Sequence, residues 1–198
     1  MGLLAGQRLL VIDAETTGMS PSSGAALVEV ARVELMGGAI GETWSSLVRP
    51  PHPIPPDAVR VHGITDAMVA DAPEPSAIAG PLRAAIGDLP LVFHNASFDL
   101  PFLVALLRGA GQPPIWNPIL DTLGLARGLF GPGSNSLGAL AARLSLPVEP
   151  THRALGDALT TARLFRALAE RWEHERGVRS LSELAAASQD LMRVTSRR

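Results

Sequence analysis

Cysteine and tyrosine are absent from this 198-residue chain, and every one of its 17 basic residues is arginine. Without cysteine there is no disulfide, no thiolate-held zinc and no cysteine nucleophile, and a reducing compartment is permitted. Also missing is any run approaching the roughly 18 apolar residues that span a bilayer. The opening MGLLAGQRLLVIDAETTG has no basic segment followed by the long apolar run of a secretory signal. The expectation is a soluble, cytoplasmic protein that does not enter a membrane. A net charge of -2 lacks the broad basic surface of a protein that coats long nucleic acid, so any nucleic-acid footprint is short. Charge is also uneven: residues 163–198 carry eight arginines and five carboxylates, net +3, which leaves residues 1–162 at -5. Arginine suits bidentate phosphate contacts, but a GC-rich genome gives the same bias together with abundant Ala, Gly and Pro, and that is the preferred explanation.

What is present, with 46% of residues hydrophobic, suffices for one α/β domain. Arg8 to Asp13 is a short apolar run closed by a polar, glycine-bearing turn, which reads as a buried strand whose carboxyl end exposes functional groups. Residues 25–35 and 39–48 flank Gly37-Gly38 and read as a β-hairpin. Residues 49–56, with five prolines, predict an extended surface loop, because proline fixes φ and lacks a donor. Residues 75–87 predict a helix, 89–93 a strand, 97–107 a helix, 117–121 a last strand, and 123–129 and 137–144 two short helices. A long helix over 154–172, stopped by Gly177, is followed by a capping box at Ser180–Glu183 that opens a final helix to about Met192. That order predicts a mixed sheet with helices on both faces.

Three short segments carry candidate chemistry. Asp13-Ala-Glu15 sets two carboxylates at i and i+2, on one side of an extended strand, where both reach one hard cation; read alone, such a pair is more often a solvated strand end. Thr16, Thr17 and Gly18 are small enough to let the backbone approach a phosphate or sugar, and equally make a plain turn. His94 to Asp99 follows a second buried strand, so Asp99 emerges beside Asp13 if the two strands are parallel neighbours; otherwise it serves the free amides of a helix start. His94 and Asn95 brace that turn rather than bind Mg²⁺, which prefers oxygen. His152 enters the long helix and Asp157 lies about one turn later, a base near neutrality beside a carboxylate.

The ordered segments VIDAETTG (11–18), HNASFD (94–99) and HRALGDA (152–158), with VHGITDAMV, LDTLGLAR and SLGAL between them, resemble the DEDDh 3′-to-5′ exonucleases, the family of the proofreading subunit of bacterial replicative polymerase. The resemblance runs from about residue 8 to 172. It implies a ribonuclease H-like mixed five-stranded sheet and phosphodiester hydrolysis by two divalent cations, Mg²⁺ or Mn²⁺, with DNA 3′ ends preferred and RNA open. It also implies metal ligation by Asp13, Glu15, Asp99 and Asp157, with His152 as general base. Thr16, Thr17, Gly18, Met19, His62, Asn95 and Phe98 then contact substrate; Met19 as loop packing and His62 as a turn residue stay open. The sister group with tyrosine in place of histidine is excluded, since tyrosine is absent. Asp121 is left as structural. The expected division is an exonuclease domain over 1–176 and a helical extension over 177–198. A polymerase or repair partner, an oligoribonuclease-like activity and a catalytically silent binding domain are the remaining readings.

Overall fold

The computed structural model describes residues 2–147, 149 and 152–195. Five strands form one sheet in the order β3-β2-β1-β4-β5: β1 (Arg8–Thr16), β2 (Leu27–Met36), β3 (Ala39–Leu47), β4 (Leu91–Phe93) and β5 (Ile119–Asp121). The hairpin β2-β3 and the β1-β2 pair are antiparallel, whereas β1-β4 and β4-β5 are parallel. The expected mixed sheet is present. Strand β1 runs to Thr16, past the predicted end at Asp13, because Asp13, Ala14 and Glu15 still pair with Ala31, Val30 and Glu29 of β2.

Alternation along β1 sorts its side chains between two cores. Leu9 and Val11 enter the one covered by α5 (Thr122–Phe130), α6 (Leu137–Arg143), α7 (Ala154–Arg176) and α8 (Leu181–Thr195). Leu10, Ile12 and Ala14 enter the other, under α3 (Pro75–Ile86) and α4 (Ala96–Gly109). By the same alternation Asp13 and Glu15 share the α7 side. The proline-rich loop ends sooner than predicted: Pro56 occupies the first turn of α1 (Pro56–His62), where its missing N–H costs nothing, and Gly63 ends that helix at φ 72°. A further helical turn, α2 (Asp66–Val69), follows.

Helix α8 packs on the domain. Ser188, fully buried, donates its hydroxyl to Ala185 and accepts the Asp121 N–H at 3.2 Å. A Cβ built on Gly124 of α5 would sit 2.1 Å from the Ser188 carbonyl oxygen, so the two helices cross where there is room only for glycine. Gly124→Ala therefore forces α8 away, at a cost of about 1–3 kcal/mol by overpacking. The expected result is a melting temperature several degrees lower in differential scanning fluorimetry; an unchanged value would show that α8 does not sit against α5 in solution.

Candidate active site

Strand β4 stops at Phe93, so the N–H of Ala14 on that edge of β1 lacks a strand partner. The carboxylate of Asp99, in the first turn of α4, accepts it at 3.1 Å. Asp157, in the first turn of α7, comes down on the face of β1 that carries Asp13 and Glu15, and one oxygen from each of these three lies within 4.8 Å of the others. Asp121 brings the α4 start to this edge. Its Oδ1 accepts the Asn95 and Leu123 N–H groups at 3.0 and 2.9 Å and its Oδ2 that of Ala96 at 2.9 Å.

Burial and mutual repulsion disturb all four acids. Burial raises Asp13 well above the ordinary carboxylate range, with Asp99, Asp157 and Glu15 adding to it. Glu15 is pushed up to about 8, chiefly by burial and then by Asp157, with Arg153 opposing. Asp99 rises to about 7 by burial, although the Ala14 hydrogen bond works the other way. Asp157 also rises through burial, against the pull of the His152 N–H. Oxygen donors gathered this closely, each reluctant to ionise alone, fit a hard divalent cation. Because these folded-state values exceed the unfolded ones, the associated stability is complete below about pH 4 and is lost as pH climbs through about 7 to 8. In EDTA the melting temperature should fall between pH 5 and pH 8, and Mn²⁺ should raise it more at pH 8 than at pH 5; a flat pH profile would contradict the cluster.

His152 is exposed on the loop entering α7, with φ 59°, and its N–H donates to Asp157 Oδ2 at 3.0 Å. Arg153 and Ala154 beside it both bond to Glu29 of β2. Asp13, Glu15, Asp99, Asp157 and His152 line a cavity of ≈ 460 Å³, and His94, Asn95, Arg127, Asn135 and Ser136 are among its other polar lining residues. A second cavity of ≈ 420 Å³ shares Glu15 and Phe98 with the first. Thr16, Thr17, Gly18, Met19 and His62 line it.

The predicted site residues are therefore brought to one end of the sheet, divided between two cavities. Thr16 donates its hydroxyl to Gly18 at 2.7 Å, and Thr17 Oγ1 accepts the Ala26 N–H at 2.9 Å, which fixes the turn. Met19 is 80% exposed, so it is not packed within the loop. His62 is buried at the end of α1; its Nδ1 accepts the Ile64 N–H at 3.0 Å, and its Nε2 has no aligned acceptor among the described residues. Burial lowers its pKa. Asn95 adopts φ 69° and accepts the Ser97 hydroxyl at 2.7 Å, a brace of the turn, and Phe98 packs on Phe102 with ring centroids 5.6 Å apart. Sequence reasoning assigned no function to Arg127, Asn135, Arg153 or Glu29. Only Arg153, next to His152, carries a local signal; Glu29 reads as one of two carboxylates interleaved in a hairpin strand.

Residues 10–165 match the RNase T exonuclease family, and the chain belongs to it. It is 42% identical over 163 residues to a DNA polymerase III subunit epsilon-like protein of Rhodobacter capsulatus, which covers 79% of this chain and 23% of that protein. It is 36% identical over 165 residues to the DNA polymerase III PolC-type of Bacillus subtilis, covering 82% of this chain and 11% of that one. The chain thus spans less than a quarter of either relative. Among solved structures, Exonuclease X in complex with 5′ overhanging duplex DNA superposes with a TM-score of 0.71 at 32% identity, over 91% of this chain and 99% of that one. Escherichia coli Exonuclease I, at 18% identity and a TM-score of 0.77 over 86% of this chain and 43% of that one, shares the fold.

Proposed function

We propose that this chain is a 3′-to-5′ exonuclease that removes nucleoside 5′-monophosphates from single-stranded DNA ends. The observation that carries the reading is the meeting of Asp13, Glu15 and Asp157 oxygens within 4.8 Å at the junction of two cavities, one of which also contains Asp99 and His152. Asp13, Glu15, Asp99 and Asp157 would hold two divalent cations, Mg²⁺ or Mn²⁺. When bound, such ions stabilise the charge that builds on the attacking and leaving oxygens of an in-line displacement. The terminal nucleoside occupies the cavity of Thr16, Thr17, Gly18, Met19 and His62, with Phe98 at its edge, and Asn95 faces the strand from the other cavity. His152 accepts a proton as water attacks phosphorus; the bond to the 3′-oxygen of the preceding nucleotide breaks, that oxygen takes up a proton from solvent, and the phosphate leaves on the terminal nucleoside. The DNA complex of Exonuclease X supports DNA as substrate, and the polymerase III relatives support a polymerase or repair partner. The extension expected after residue 176 is helical over Leu181–Thr195, and that helix packs on the exonuclease domain.

A closed circular single strand should resist cleavage while its linear form, labelled at the 5′ end, yields a ladder shortening from the 3′ end; cleavage of the circle would overturn the reading. An RNA oligonucleotide of the same sequence degraded at an equal rate would move the substrate to RNA. Asp157→Ala should abolish both turnover and calorimetric Mn²⁺ binding.

Arg127 is the only arginine among the described residues lining the first cavity, on α5. Its charge is felt at His94, and it suits a phosphate of the upstream strand, since guanidinium pairs with phosphate oxygens. Arg127→Met should raise KM for an oligonucleotide about 10-fold, roughly 1.4 kcal/mol, yet leave KM for the p-nitrophenyl ester of thymidine 5′-monophosphate, which has no upstream phosphate, unchanged. Equal effects on both substrates would remove that assignment.

A further inference from the structure

Glu29 ties the loop that presents His152 to the centre of the sheet. It is 3% exposed, in β2 opposite Glu15. Its carboxylate accepts Arg153 Nη2 at 2.7 Å, Arg153 Nε at 3.1 Å and the Ala154 N–H at 2.9 Å. The two residues after His152 are thus fixed from outside the helix to which they lead. Among the described residues, His152 itself is held by the bond from its own N–H to Asp157. Between these tethers its backbone sits at φ 59°, a region that residues other than glycine avoid, so the conformation is imposed by what holds the neighbours.

The two tethers differ. Asp157 belongs to the oxygen cluster and has a competing role there, whereas Glu29 lies outside that group. Glu29 also works against the cluster, since its negative charge adds to the repulsion on Asp13, Glu15 and Asp157. A buried acid in that place needs a use other than metal binding, and the geometry of its three hydrogen bonds supplies one.

We propose that Glu29 and Arg153 are a positioning pair that sets the orientation of His152 toward the reacting phosphate. This rests on the reading of His152 as the proton acceptor. Bidentate contact is what a planar guanidinium gives and a lysine would not, and it fixes the rotation of the Arg153 backbone as well as its place. Neither residue belongs to the oxygen cluster, and their charges act in opposite directions on Glu15, so removing both together leaves their hold on the His152 loop as the main change.

The test removes the pair as a unit, because Arg153→Met alone would leave the Glu29 charge buried and unpaired. In Glu29→Gln/Arg153→Met both charges go, and the glutamine keeps an oxygen for the Ala154 N–H. Single-turnover rates, KM, Mn²⁺ affinity and melting temperature are measured for this variant, for His152→Ala and for the combination of all three changes, on a 5′-labelled single-stranded DNA. The expected result is a rate lowered about 10²-fold in the paired variant, as for a reacting group displaced by about 1 Å, with KM, Mn²⁺ affinity and melting temperature close to wild type. In the His152→Ala background the same two changes should cost nothing further. Multiplicative losses in the triple variant, or a paired variant at the wild-type rate, would overturn the positioning role while leaving His152 as proton acceptor. His152→Ala at the wild-type rate would overturn that reading itself, and the pair's role with it.

Discussion

Four carboxylates held at one end of a sheet, all reluctant to ionise, set the terms on which the rest of this molecule is built. Repulsion among them opposes folding whenever they are charged, so the elements that carry them must be anchored by contacts that do not depend on the cluster. Strand β1 is held on both sides by neighbouring strands. Helix α4 is fixed at its start by Asp121, which accepts three backbone N–H groups there and at the start of α5. Helix α7 is fixed by the sheet beneath it. Each carboxylate is thus carried by an element whose place is secured elsewhere, and the crowding is imposed on the side chains alone.

The manner in which α7 reaches the sheet explains why its acid arrives so near β1. Ala154, Ala158, Ala162 and Ala169 are fully buried beside Phe165 and Leu168 on its inner face, and small side chains let the helix lie close to the strands. Farther along, Trp172 donates its indole N–H to the Leu125 carbonyl at 3.0 Å, which ties the far end of α7 to α5. The helix is secured along about 18 residues of inner face between Ala154 and Trp172, roughly 27 Å at 1.5 Å per residue. A mobile loop carrying Asp157 would not sustain that proximity against repulsion.

Much of this was legible in the sequence, for reasons that are physical. The i and i+2 spacing of Asp13 and Glu15 survives because β1 stays extended through both; the apolar run 89–93 forecast a strand, found over Leu91–Phe93, and the structure supplies the parallel pairing with β1 that the placement of Asp99 required. The hairpin, the long helix and the capping box at Ser180–Glu183, where the Glu183 N–H meets Ser180 Oγ at 3.2 Å, were legible because each is encoded within a few residues. Helix α1 was not, because Pro55 and Pro56 weigh against helix by composition while Pro56 occupies the one turn that tolerates it. The reach of Asp121 to the start of α4 could not be read either, since its partners lie about 25 residues away.

Glu29 illustrates a deeper limit. In LVEVARVEL the interleaved charges suggest a strand that meets water, yet Glu29 and Glu34, five residues apart, lie on opposite faces of β2 and both are buried, Glu34 paired with the exposed Arg8. Glu29 lies opposite Glu15 on the face that α7 covers, and there it meets Arg153 and the Ala154 N–H. Whether a carboxylate on this strand meets water or an amide is decided by a helix that begins 125 residues later, at Ala154. No window of local sequence contains that information. The residue types at the reacting centre are dictated by chemistry and recur in short segments, whereas the residues that aim them are dictated by packing, and become visible only once the chain is folded.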